Sequence, residues 1–140
     1  MRDLRKISSG GVANPLTADL GCADYVVGRP ELKDYSETVN ARGSISGAQT
    51  IDLELGNVVT MTIAGATVFT FSNPSPTGRA CSMTWEVTNG GAGAITWPSS
   101  VKWPGGTVPT LTTSGVDILT FVTVNAGTTY RGALAQLDSK

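Results

Sequence analysis

From residue 43 onward the chain alternates apolar and polar positions with a period of two, the pattern of strands that bury one face. Ile51, Leu53 and Leu55 alternate with Asp52, Glu54 and Gly56, which predicts a strand with one wet face. Residues 57–63 alternate again, with Val59, Met61 and Ile63 set against Val58, Thr60 and Thr62. Ala64-Gly65 reads as a tight turn into residues 66–72, where Phe69 and Phe71 point the same way. Asn73-Pro74-Ser75-Pro76-Thr77-Gly78 predicts a loop, since proline has no N–H to give to a ladder. Residues 79–89 hold the longest clean alternation: Cys81, Met83, Trp85 and Val87 on one face, Ser82, Thr84, Glu86 and Thr88 on the other. Asn89-Gly90, the strongest short hairpin signal, predicts an antiparallel return through residues 94–97. Residues 116–124 are apolar on both faces, the pattern of a central, doubly covered strand. Asn125-Ala126-Gly127 then closes a hairpin into residues 128–137. Some seven short strands with regular turn signals and no convincing helix predict an all-β fold, a small antiparallel β-sandwich or barrel.

Residues 1–42 are different. Six cations (Arg2, Arg5, Lys6, Arg29, Lys33, Arg42) and six anions (Asp3, Asp19, Asp24, Glu31, Asp34, Glu37) fall there, more than half of the chain's 21 charges. Apolar residues are scattered, and Gly10-Gly11, Pro15, Gly21, Gly28 and Pro30 interrupt every candidate element. The expected organisation is an extended, irregular N-terminal arm over residues 1–42 and a β-domain over residues 43–140. An arm of this composition is expected to be held by neighbouring copies of the chain or by another protein.

Composition narrows the chemistry. The 140 residues contain no histidine, which removes Ser-His-Asp and Cys-His nucleophile systems, imidazole metal sites and a histidine pH switch. Net charge is −1, so neither nucleic acid nor an anionic membrane is an expected partner. No apolar run is long enough to span a membrane, and the charged opening Met-Arg-Asp-Leu-Arg-Lys-Ile does not fit a secretory signal. Cys22 and Cys81 are too few for a disulfide scaffold; Cys81 reads as a core residue and Cys22 as a small residue in a loop. Asp52 and Glu54, at i and i+2, form a nominal carboxylate pair but read as the solvated face of a strand. Gly90, Gly91 and Gly93 precede a segment, Ile95-Thr96-Trp97-Pro98, that cannot start the helix a phosphate-cradling loop requires. Asp117 has no second carboxylate close in sequence, so a calcium site there lacks support. No catalytic residue, metal site or cofactor is expected.

The most distinctive stretch is Trp97-Pro98-Ser99-Ser100-Val101-Lys102-Trp103-Pro104-Gly105-Gly106. Its indoles read in two ways: as a seal over one end of the sandwich, or, with Tyr130, as a stacking platform for the apolar faces of sugars. The wider stretch over about residues 33–132 resembles a β-domain of bacteriophage virion proteins, often a terminal module of tail fibres. The resemblance rests on Lys33-Asp34-Tyr35-Ser36-Glu37-Thr38, Ile51-Asp52-Leu53 with Gly56-Asn57-Val58, and Phe69-Thr70-Phe71-Ser72-Asn73-Pro74. It continues through Trp97-Pro98, Val101-Lys102-Trp103, Gly105-Gly106 and Pro109-Thr110-Leu111-Thr112. Asp117-Ile118-Leu119-Thr120-Phe121 and Gly127-Thr128-Thr129-Tyr130 complete it.

That resemblance implies a viral structural role. The chain departs from the tail-fibre pattern in having a short arm in place of a long repetitive shaft, which is how capsid decoration or cement proteins look. The expectation is therefore a non-enzymatic phage decoration protein on the capsid surface of the virion, made in the host cytoplasm. Its implied partners are the major capsid protein and itself, as a homotrimer. Arg2, Arg5, Lys6, Tyr25, Arg29 and Tyr35 are the expected contact residues. The alternative is a tail-fibre or tail-associated receptor-binding module that recognises host glycan through Trp97, Trp103 and Tyr130.

Overall fold

The computed structural model describes residue 31 and residues 33–140, in which Ser36–Lys140 form one compact unit. Residues 1–30, and with them the extended-arm reading for that segment, lie outside the described part. Seven strands form one mixed sheet: β1 (Val39–Asp52), β2 (Val58–Ser72), β3 (Cys81–Thr88), β4 (Ile95–Thr96), β5 (Val101–Lys102), β6 (Val116–Thr123) and β7 (Tyr130–Ser139). The spatial order is β1-β2-β3-β6-β7-β5, with β4 also beside β2. Three short 3₁₀ turns are the only helical pieces among the described residues. The all-β class holds, and β1 starts at Val39, a few residues before the expected boundary at Gly43.

The pairing corrects the antiparallel expectation. β2 runs parallel to β1, β3 and β4, and β5 runs parallel to β7; only β3–β6 and β6–β7 are antiparallel. The physical reason lies in how β1 meets β2. Val39 lies beside Val58 and Ile51 beside Phe71, although only residues 53–57 join the two strands. A flat strand of 14 residues would span ~46 Å, and five residues bridge at most ~18 Å. The strand must therefore curl until its end returns beside its start. Register shifts at Ala41/Gly43 and Ile45/Gly47 mark the bends, where Gly43 and Gly47 take φ of 67° and 70°. Val58 N–H then donates to the Thr38 carbonyl, and Thr84 N–H to that of Asn57, each handing the chain to the next rung. The result is a stack of parallel rungs closed by the antiparallel β6–β7 hairpin.

The same geometry explains two turns that do not form. Ala64-Gly65 does not end a strand: β2 runs through it, bending between Ile63 and Thr67. Asn89-Gly90 makes no hairpin, since the chain passes through a 3₁₀ turn into β4, which pairs with β2 and not with β3. The glycines of this corner are there for close approach. A Cβ on Gly93 would lie 2.4 Å from the Gly65 carbonyl oxygen, and one on Gly91 2.3 Å from that of Leu111. Because the obstacle is backbone, Gly93→Ala is expected to destabilise the protein by about 2 kcal/mol or more. Urea unfolding would check it, and an unchanged midpoint would mean the corner is loosely packed.

Inside the rungs the side chains stack in columns. Register places Asn40, Val59 and Trp85 in one column, Ile45 with Ile63 in another, and Ile51 with Phe71 in a third. The column through Asn40 widens from a small polar residue at β1 to an indole at β3. Ile51, Val59, Trp85 and Leu119 are fully buried at the centre.

Candidate functional site

The Trp-Pro segment packs onto this core. Trp97 stacks on Phe69 with ring centroids 5.5 Å apart, and Trp103 meets Trp97 edge-on at 5.1 Å. Phe121 lies under both indoles, and Phe71 meets Tyr130 edge-on at 4.8 Å. Gly132 leaves the room: a Cβ there would come within 2.9 Å of the Trp103 ring. The intervening turn is held by Val101 N–H to the Pro98 carbonyl and by Gly106 N–H to the Trp103 carbonyl. Tyr130 N–H to the Ser100 carbonyl joins this segment to β7.

This placement corrects the glycan platform. Trp103 is 8% exposed and Tyr130 2%, and Trp97 is half-buried against the core, so the three rings present no shared open face. They do not line one depression either. Tyr130 borders a groove with Ser72, Asn73, Pro74, Ser99 and Ser100, whereas Trp97 borders another with Gly91, Ile95 and Leu111. The reason is apolar demand: the rungs enclose a wide interior around Trp85, and the two indoles fill its end.

Burial also acts on the Tyr130 hydroxyl, pushing it above its ordinary 10.0, with a smaller push from nearby Cys81. A phenol that ionises less readily folded than unfolded keeps its full stabilising effect below pH 10 and loses it as pH rises beyond. The unfolding free energy is thus expected to fall as pH climbs above about 10. Tyr130→Phe should flatten that decline, as denaturant titrations across the alkaline range would reveal.

The other candidates resolve into structure. Asp52 ends β1, accepting the Glu54 N–H at 3.0 Å and the Asn73 amide at 2.9 Å. It caps the 3₁₀ turn Leu53–Leu55, and the strand expected across residues 51–55 stops there. Gly90, Gly91 and Gly93 face Leu111 and Gly65, with Gly91 N–H donating to the Thr112 carbonyl. Asp117 is fully buried and accepts three hydrogen bonds: Thr112 N–H and Thr112 hydroxyl, both at 2.7 Å, and Asp138 N–H at 3.0 Å. Cys81 is half-buried at the start of β3, its Sγ accepting the Ser75 N–H. No group of three or more His, Cys, Asp or Glu side chains converges among the described residues.

Of the expected contact residues, Arg2, Arg5, Lys6, Tyr25 and Arg29 lie outside the described part, as does Cys22. Tyr35 is 68% exposed.

The surface feature that stands out is on the sheet itself. β6 turns Asp117, Leu119, Phe121 and Thr123 inward, which puts Val116, Ile118, Thr120 and Val122 on the outside. Val122 is 38% exposed and Val124, just past the strand, 61%. Apolar character on both faces predicts a doubly covered strand; among the described residues the inner face is buried and the outer face is half-buried to exposed.

Comparison of the chain with protein-family models, curated proteins and solved structures finds no match.

Proposed function

We propose that the protein is a non-catalytic structural component of a bacteriophage virion. The reading rests on the resemblance over residues 33–132, and one structural observation supports it. The most distinctive residues of that stretch, Trp97-Pro98 and Trp103-Pro104, close an aromatic core, as suits a building block whose work is done by its outer surface. Within that class the specific reading is a capsid decoration protein: the β-domain sits on the outer shell, and residues 1–42 reach across it to the major capsid protein. Arg2, Arg5, Lys6, Tyr25, Arg29 and Tyr35 make the shell contacts in this reading. Balanced charge in the arm suits many short polar contacts, whose ordering entropy is offset on assembly.

The test is co-sedimentation of purified protein with mature heads that lack it, followed by heating. Saturable binding that raises the rupture temperature is expected, because a ligand of the assembled state stabilises it by mass action. Heads that neither bind the protein nor survive longer in its presence would overturn the proposal. A chain beginning at Ser36 should stay folded but bind heads far more weakly.

A further inference from the structure

We propose that the outward face of β3, β6 and β7 joins two copies of this chain about a two-fold axis. The face is an apolar strip along β6 with polar strands on either side. Its centre is Thr120, beside Thr84 of β3 and Ala133 of β7. One step along the outward face toward the start of β6, Ile118 has Glu86 as its β3 neighbour. One step the other way, Val122 has Arg131 as its β7 neighbour. An anion and a cation therefore stand at opposite corners, equally displaced from Thr120.

That diagonal makes the face its own complement. A two-fold axis lying in the interface, through Thr120 and across the Glu86–Arg131 diagonal, brings each Glu86 against the partner's Arg131. The two β6 strips then cross at Thr120 at roughly 70°, each strip ending over the partner's β3 and β7, between two equivalent ion pairs. Both residues are exposed, and neither has an ion-pair partner among the described residues. A two-fold interface requires this self-complementarity, whereas a ring of three joins two different patches. The geometry thus points to two copies here rather than the three that the resemblance implies.

The covered area sets the expected strength. Three strands at ~4.8 Å spacing and eight residues at ~3.3 Å rise give a patch of roughly 14 by 26 Å. That buries roughly 700 Å² over the two copies, below the usual size of a specific interface, so the dimer should be weak and dependent on concentration. Paired charges at its corners make it sensitive to salt.

Sedimentation velocity over a broad concentration series tests this on the full chain. A monomer–dimer equilibrium weakened by salt is expected. Glu86→Arg and Arg131→Glu should each raise the dissociation constant about 10-fold or more, by setting like charges face to face. The double charge swap should return it to within about 3-fold of the original. Both positions are exposed, and thermal melts would verify that each variant remains folded. A monomer at all concentrations would leave the strip to a different protein and overturn the proposal. So would a trimer, a dimer indifferent to either single swap, or a double swap that fails to restore association.

Discussion

Trp85→Ala is expected to lower the unfolding free energy by about 3–5 kcal/mol. A typical domain has only about 5–15 kcal/mol in total, so the variant should be partly unfolded or melt far below the parent. Trp85 is fully buried on the central strand β3. Four aromatic rings surround it: Phe69, Phe71, Trp97 and Phe121, with centroids 4.9–5.8 Å away. Truncation removes a contact from each, and β2 on one side and β6 on the other hold the walls apart. Trp85→Phe should cost less than this. It keeps a ring in the site and also removes an indole N–H that has no hydrogen-bond acceptor. Far-UV circular dichroism in urea would rank the two, and equal losses would show that the site tolerates no smaller ring.

Asp117→Ala is the second large effect, at about 3 kcal/mol. The carboxylate binds the loop before β6 through Thr112 and the end of β7 through the Asp138 N–H. Removing it leaves buried donors without acceptors and unties two segments together. Asp117→Asn sharpens the point. Its amide supplies one oxygen and one NH₂, but donors from Thr112 and Asp138 approach both carboxylate oxygens, so one donor must face another. Asn should therefore recover little of the loss in the same denaturant titration. Full stability in Asp117→Asn would mean that a single acceptor suffices.

How much of this was legible follows from what a local pattern encodes. The alternation along β3 assigns its faces correctly, because alternation and burial coincide on a strand covered on one side. The β6–β7 hairpin was read from Asn125-Ala126-Gly127, whose turn is local: Asn125 Oδ1 accepts the Thr129 N–H, and Thr123 Oγ1 that of Gly127. The parallel rungs were hidden, since their partners are set by side chains stacking across separate passes of the chain. A Gly-containing corner such as Ala64-Gly65 or Asn89-Gly90 carries the same local signal whether the strand folds back or merely bends. The first half of β1 escapes the pattern because its buried positions, Asn40 and Ile45, lie five residues apart and the first of them is polar, so no apolar period shows. The indoles were ambiguous for a related reason: sequence gives the rings but not the width of the space they fill. At β6 the apolar signal on both faces overstates the burial, since among the described residues only the inner face is fully covered.

The taper of the interior has a mechanical meaning. β1 is the outermost rung, and beneath it lie Asn40, whose amide nitrogen is buried without a partner, and Gln49, engaged with Arg42 and the Ser46 carbonyl. The aromatic rings sit one and two rungs deeper. Tension entering at Val39 reaches this rung before any other. Unwinding β1 and its connection as far as Asn57 would release about 60 Å of slack at ~3.3 Å per residue. The Trp85 rung and the β6–β7 hairpin would remain closed. The first rung is thus placed to act as a yielding coil, absorbing a pull on the N-terminal side before the body of the domain feels it.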